Sequence, residues 1–530
     1  MKRIDQLVAD LGLTADDYEP YGRYIGKLDP GLTTRGEPRG KLISVTAVTP
    51  TPRGEGKTVT TIGLSMALNA LGRRSIATIR QPSVGPIFGI KGGATGGGQA
   101  SLYPSEDVNL RLTGDFDAVA AAHNLLAAMI DNHITHGNEL GIDANDVPWP
   151  RVVDMNDRAL REIVVGLGGR ANGYPRETRF DIVAASEIMA VLALTTDLKD
   201  LRARLGRIVP AFTRDGRAVT AEDLKAAGAM TVLMKRSLGP NLVQSLDGSP
   251  VMVHAGPFGN IAHGNSSVIS DRVAIRLADF VVTESGFGSD MGFEKMMHIK
   301  RPVSGIDPAA VVVVCSVKAL RSHGATLDPG FANLAQHIAN ARTFGLPAVV
   351  AVNRFPDDTD ADIALVRREA ERAGAIAACA SEVFARGAEG GRELGEAVLA
   401  AAATASTVTT VYEPGDPAVT KMEKLAIRLY GADGIDLLPA AERRLERFAK
   451  LGYGDLPVCM AKTPLSLSHD PSLKGAPKGF RVPIREVRLS AGAGFLYALT
   501  GEVMTMPGLP VTPAAANIDI DAEGNTVGLY

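Results

Sequence analysis

Residues 41–58 read KLISVTAVTPTPRGEGKT. The first eight are mostly apolar and β-branched, and Pro and Gly follow at once, so the stretch predicts a buried strand over 41–48 running into a tight loop. The next residues carry helical periodicity and predict a helix over 58–71, closed by Gly72. A glycine-containing loop between a strand and a helix can wrap an anion with backbone N–H groups, and the helix N-terminus adds its positive dipole. In that geometry Gly54 and Gly56 let the backbone approach a triphosphate, Lys57 reaches its terminal phosphates, and the Thr58 hydroxyl can ligate Mg2+. The GxxxxGK[ST] pattern fails only at Thr51, which stands where its first glycine would be. A bare GK[ST] is more often a solvated turn. The strand–loop–helix context makes residues 51–58, namely Thr51, Pro52, Arg53, Gly54, Glu55, Gly56, Lys57 and Thr58, a candidate ATP-binding loop.

Working outward, similar apolar runs recur at 75–79, 251–254, 280–283, 311–315 and 348–353, separated by amphipathic helical stretches. That alternation predicts an α/β fold with a mostly parallel sheet covered by helices on both sides. Pro and Gly cluster at 301–308 and 412–417, which suggests three parts: a large P-loop-type nucleotide-binding domain (1–305), a smaller α/β domain (306–415) and a C-terminal α+β domain (416–530). Residues 481–489, RVPIREVRL, alternate apolar and charged groups like a half-exposed strand.

The run at 75–79 ends in Arg80, and ligands of open parallel sheets bind beyond the carboxyl ends of strands, so Arg80 and the 51–58 loop are expected to face one crevice. A guanidinium there can grip a phosphate with two parallel hydrogen bonds. The glycine-rich run 85–98 suits backbone folded tightly against a ligand, with Lys91 as a further cation. Glu284, at the end of another apolar run, sits where a metal-side carboxylate is often placed. Asp115 is a second candidate metal ligand, with His123 beside it, although a buried, satisfied histidine is the commoner reading.

The 530 residues carry 56 Lys+Arg against 59 Asp+Glu, a formal charge of −3, with no basic block interleaved with aromatics, which argues against a nucleic-acid partner. Cys315, Cys379 and Cys459 form neither a CxxC pair nor an even-numbered framework, as expected of thiols in a reducing compartment. The N-terminus turns acidic before any signal-like apolar stretch, and no run is long enough to span a bilayer; a cytoplasmic protein without a membrane partner is expected.

Taken together these segments resemble formate–tetrahydrofolate ligase, also called formyltetrahydrofolate synthetase. The resemblance rests on TPTPRGEGKT (49–58), FGIKGGATGGG (88–98), LTGDF (112–116), HNLLAAMIDNH (123–133), NGYPRET (172–178), GPFGNIAHG (256–264), TESGFGSD (283–290), NRFP (353–356), VCMAK (458–462) and MTMPGLP (504–510), running nearly end to end. It implies an ATP-dependent carbon–nitrogen ligase of one-carbon metabolism. Formate attacks the γ-phosphate of Mg-ATP to give formyl phosphate and ADP; N10 of tetrahydrofolate then takes the formyl group, leaving 10-formyltetrahydrofolate and phosphate. It further implies Arg80 and Lys57 in catalysis, Arg80 holding formyl phosphate, Phe287 near the nucleotide, and Phe355, Pro356 and Phe384 along the folate pocket, which makes 306–415 the folate-side domain. A homotetramer, polyglutamylated folate and a monovalent cation such as K+ or NH4+ belong to the same expectation. Two departures stand out: Phe384 lies where many members carry Trp, and Gln81 where some carry Glu. The alternatives are another ATP-driven, carboxylate-activating ligase on the same scaffold, and a non-catalytic nucleotide-binding protein.

Overall fold

The computed structural model describes every residue except Pro52, Arg53, Gly92, Glu502 and Tyr530, and every side chain of the described residues except that of Lys91. The expected strands form one twisted sheet. In chain order it contains β1 (Tyr18–Tyr21), β2 (Ile25–Leu28), β3 (Lys41–Ala47), β4 (Ser75–Ile79), the hairpin β5 (Gly96–Gly97) and β6 (Ala100–Tyr103), β7 (Asn241–Ser245), β8 (Pro250–Val253), β9 (Phe280–Gly288), β10 (Pro308–Cys315), β11 (Ala348–Asn353) and β12 (Ala377–Ser381). Their spatial order is β1-β2-β7-β8-β4-β9-β3-β10-β11-β12, with β6 hydrogen-bonded to β7. From β8 to β12 every neighbouring pair is parallel. β1, β2 and β7 close the other edge antiparallel.

The alternation of side chains in β3 explains why its sequence is apolar throughout. Ile43, Val45 and Ala47 enter a core shared with Leu64 and Leu68 of helix α1 (Lys57–Ala70) and with Val398 of α2 (Arg392–Ala403). Leu42 and Val48 enter the core on the opposite face. A strand covered on both faces gains from apolar residues at every position, at roughly 25 cal/mol per Å2 buried.

The expected boundary between residues 305 and 306 meets a sheet that runs across it. β10 pairs with β3 from Pro308↔Leu42 to Val314↔Ala47, so residues 306–403 extend the central sheet. The reason is topological: β3 is a middle strand, and its free edge takes β10, β11 and β12 in succession. The segment from 416 has small sheets of its own, including Val458–Ala461 paired with Phe495–Leu499 and the latter with Glu486–Ser490. The single strand expected over 481–489 is two short ones, Val482–Ile484 and Glu486–Ser490. Among the described residues no helix is long and apolar enough to cross a membrane.

Candidate active site at the carboxyl ends of the parallel strands

The order β4-β9-β3 brings three segments to one place: Arg80 follows β4, Glu284 lies within β9, and the 48–56 loop follows β3. Glu284 joins the other two. Its carboxylate accepts a 2.7 Å hydrogen bond from the Thr58 hydroxyl, and its second oxygen lies 3.4 Å from Arg80 Nε. Arg80 also donates to the carbonyl of Pro257 at 3.2 Å and keeps a quarter of its side chain exposed. Glu284 itself is buried. Loop, cation and carboxylate therefore converge; the sequence places Arg80 and the 51–58 loop in one crevice and leaves Glu284 as a separate expectation.

The loop is held by its own chain. Gly54 and Gly56 have φ of +83° and +75°, and Gly56 is the N-cap of α1, which has no side-chain cap. Both angles favour glycine, and a Cβ on Gly56, the residue preceding the helix, would stand 2.8 Å from Asn353 Nδ2. Glu55, expected to face the nucleotide, is buried. Its carboxylate accepts from the Thr51 N–H at 2.7 Å and from the Ser316 hydroxyl at 2.6 Å. Asn353 donates to the Glu55 carbonyl at 2.8 Å and accepts from the Thr60 hydroxyl at 3.0 Å. Glu55 thus shapes the loop and leaves the backbone to meet a ligand. Lys57 is the first residue of α1 and is partly exposed. Pro52 and Arg53 lie outside the described residues.

Phe287 is half-buried with φ of +60°, a backbone state that costs an aromatic residue free energy, and its ring packs over Gly259. The loop 255–264 is tied down from several sides. Arg80 holds Pro257, and buried Lys295 donates to the carbonyls of Gly259 and Asn260 at 2.8 and 3.1 Å. His263, on the same loop, is fully buried, and among the described residues neither ring nitrogen has a hydrogen-bond partner. Burial, reinforced by Lys300, Arg80 and Lys295, holds its pKa well below the usual value, so the ring is neutral.

Phe355 and Phe384 follow the neighbouring strands β11 and β12 and are 44% and 60% exposed, unusual for large apolar side chains. Arg354 N–H donates to the Ser381 carbonyl, which fixes the two strand ends side by side. Pro356, next to Phe355, is also exposed. The glycine run reaches this wall: a Cβ on Gly97 would meet the Phe384 ring at 2.8 Å, and one on Gly98 the Phe384 carbonyl at 2.1 Å. Gly85 and Gly89 are crowded in the same way by Asn156. The close approach that these glycines permit is therefore to the protein itself.

Asp115 is placed differently from the expectation. It is buried, ion-paired with Lys27 at 2.5 Å, and accepts from Asn241 on its other oxygen at 2.8 Å. Both oxygens are committed to an internal network, and the carboxylate does not join the Thr58–Glu284 pair. His123 donates and accepts within the core, bonded to Ser186 and the Pro150 carbonyl and stacked on Trp149; burial brings its pKa down to about 4. It is a satisfied core histidine.

Ser316, Asn353 and His263 enter the site without having been singled out by the sequence. Asn353 had a usable signal, a polar residue closing an apolar strand. Ser316 and His263 had none, because their relevance depends on which strand ends and loops become neighbours.

The structure defines an open-sheet α/β protein in which Thr58, Arg80 and Glu284 gather toward the carboxyl ends of parallel strands. The chain matches the family model described as "Formate--tetrahydrofolate ligase" over residues 1–530. It is 57% identical to the formate–tetrahydrofolate ligase of Roseiflexus sp. (strain RS-1), covering 100% of this chain and 98% of that protein. The corresponding ligase of Desulforamulus reducens is 54% identical over 99% and 97%, and that of Aeromonas hydrophila 51% over 99% and 97%. The chain belongs to the formate–tetrahydrofolate ligase family, whose members are enzymes joining formate to tetrahydrofolate with ATP.

Proposed function

We propose that this chain ligates formate to tetrahydrofolate in two steps through formyl phosphate, with the Thr58–Glu284–Arg80 convergence as its reaction centre. A formate oxygen attacks the γ-phosphorus of ATP; the bond to the bridging oxygen breaks and ADP leaves with the electron pair. Tetrahydrofolate N10 then attacks the formyl carbon, the bond to the phosphate oxygen breaks, phosphate leaves, and N10 loses its proton. The one observation that carries this reading is Glu284, which binds the hydroxyl of the helix-starting loop and the guanidinium after β4 at once.

In this assignment Lys57 and the backbone of Thr51–Thr58, including Pro52 and Arg53, hold the triphosphate, and Phe287 lies against the nucleotide. Arg80 takes the γ-phosphate as it becomes formyl phosphate, exchanging its contact with Glu284 for a charge-assisted one with the anion. Phe355, Pro356 and Phe384 offer apolar faces to the pterin. The donors near the loop, a hydroxyl and a carboxylate, are hard oxygens suited to Mg2+, with Thr58 and Glu284 as the residues that hold it; when bound it neutralises charge on the phosphates. A homotetramer, a monovalent cation and a polyglutamylated substrate complete the reading, and light scattering and assays with and without K+ test them.

The direct test supplies purified protein with Mg-ATP, formate and tetrahydrofolate. Formation of 10-formyltetrahydrofolate with stoichiometric, formate-dependent ADP supports the reading; ADP release that depends on another carboxylate and not on formate refutes it.

A further inference from the structure

A cavity of about 220 Å3 lies away from the strand ends described above, in the seam between residues 123–262 and 444–497. Its walls are partly apolar, with Val209, Phe448 and Phe495 among them, and three guanidiniums border it: Arg179, Arg444 and Arg488. Two of these are already matched. Arg179 donates to Asp181 at 3.0 Å, and Arg488 grips Glu486 with two bonds of 2.9 and 3.1 Å. Arg444 is different: its nearest carboxylate oxygen, on Asp146, is 3.9 Å away, while Arg447 holds the other oxygen of Asp146 at 2.7 Å. The remaining acidic lining group, Glu187, accepts from the N–H groups of Gly492 and Ala493 at 2.7 and 3.3 Å. The lining thus has a cation with a weak internal partner beside an apolar space. A dry cavity of about 150 Å3 accommodates benzene, so this one has room for a substituted ring.

We propose that this seam binds a small monocarboxylate with a ring-sized apolar body, its carboxylate on Arg444 and its body against Phe448 and Phe495. Sites of this kind favour the junctions between parts of a chain, where apolar walls meet a few polar anchors. Ile261 and Ala262 also line the cavity, and they belong to the loop whose Pro257 carbonyl accepts from Arg80. The occupant therefore touches the loop whose Pro257 carbonyl Arg80 holds. Binding itself does not depend on the reaction proposed above.

The test uses the full chain and 4-fluorobenzoate followed by fluorine NMR, with saturating tetrahydrofolate present so that the folate site is blocked. Saturable millimolar or tighter binding is expected, weakened roughly tenfold or more in Arg444→Gln and abolished in Ala190→Leu, which fills the cavity. Arg444 is on a solvent-facing helix, so its variant keeps the test decisive if Ala190→Leu fails to fold. Fluorobenzyl alcohol, which lacks the charge, is expected to bind more weakly than the acid. Absence of saturable binding, equal binding in wild type and Arg444→Gln, or displacement by tetrahydrofolate overturns the proposal.

Discussion

Replacing Arg80 by alanine separates ATP binding from chemistry. Arg80 donates to Pro257 and pairs loosely with Glu284, and it is a quarter exposed. In the resting protein its deletion therefore removes one 3.2 Å hydrogen bond and one 3.4 Å ion contact. Glu284 keeps the 2.7 Å bond from Thr58. Breaking a fully buried pair costs about 3–5 kcal/mol and an exposed one below about 1 kcal/mol. A partly exposed pair with a surviving partner falls between, about 1–2 kcal/mol, a modest loss for a chain with a core this large. The effect on the reaction is greater, because removing one preorganised donor from a developing anion costs about 2.7–4 kcal/mol, a factor of roughly 10² to 10³ in rate.

The assay is steady-state 10-formyltetrahydrofolate formation at saturating ATP, with ATP affinity measured separately by calorimetry. kcat is expected to fall by that factor while the ATP Kd changes by less than about threefold, since the loop backbone and Lys57 are untouched. Arg80→Lys, which keeps the charge and loses the planar fork, should recover only part of the rate. A collapse of ATP binding with kcat within tenfold of wild type would refute the assignment of Arg80 to the transferred phosphate.

Gly56→Ala should weaken ATP binding at least tenfold, about 1.4 kcal/mol, because φ of +75° and a Cβ 2.8 Å from Asn353 both oppose it; unchanged affinity by calorimetry would contradict the role of the loop. Asp115→Asn should lower stability by about 3–5 kcal/mol through the uncompensated Lys27 ammonium, which burial already pushes toward the neutral form. Its Mg2+ dependence should match wild type; a higher Mg2+ requirement would restore Asp115 as a metal ligand. Phe384→Ala should raise the KM for tetrahydrofolate with little effect on ATP, and Phe384→Trp should lower it, because the exposed ring has space for a larger face; folate titrations decide. Burial raises the pKa of Glu187 to about 7 from 4.5. The folded state therefore holds the proton longer than the unfolded one, and stability falls as pH rises from about 4.5 to 7. Glu187→Gln should melt like wild type near pH 4 and be stabilised by up to about 3 kcal/mol at pH 8; an advantage at pH 4 instead would reverse the reasoning.

Much of the sheet was legible because its strands are covered on both faces and so read as continuous apolar runs: 75–79 and 348–353 match β4 and β11 to the residue. The 280–283 run was read short, since β9 continues through Gly288 across Glu284, Ser285 and Gly286, whose burial no local pattern signals. That the sheet continues across 305/306 was hidden for a related reason. Proline and glycine at 301–308 mark a change of element, and only pairing in space reveals that the next strand rejoins β3. Of the residues that the structure brings together, Arg80 and Glu284 were each legible as a charged residue at the end of an apolar run, and Thr58 through the loop that follows one. Asp115 looked equivalent in sequence, and what distinguishes it is Lys27, 88 positions away along the chain.

The strand order also ties the two halves of the proposed reaction together mechanically. Ser316 follows β10 and Asn353 ends β11, and these two residues, from strands after the expected boundary, clamp Glu55 and thereby set the shape of the loop that follows β3. Asn353 stands two positions before Phe355, so the strand end that fixes the phosphate loop also carries the proposed folate wall. Gly97 and Gly98 close the circuit by packing on Phe384, which follows β12. A folate that presses on Phe355 or Phe384 thus acts on segments bonded directly to the phosphate loop and the glycine run. Acyl phosphates hydrolyse when water reaches them, and in the proposed reaction an acceptor wall that shares backbone with the donor's cradle would let folate binding bear on that cradle. On the proposed reading, that coupling would favour formyl transfer over loss of the intermediate.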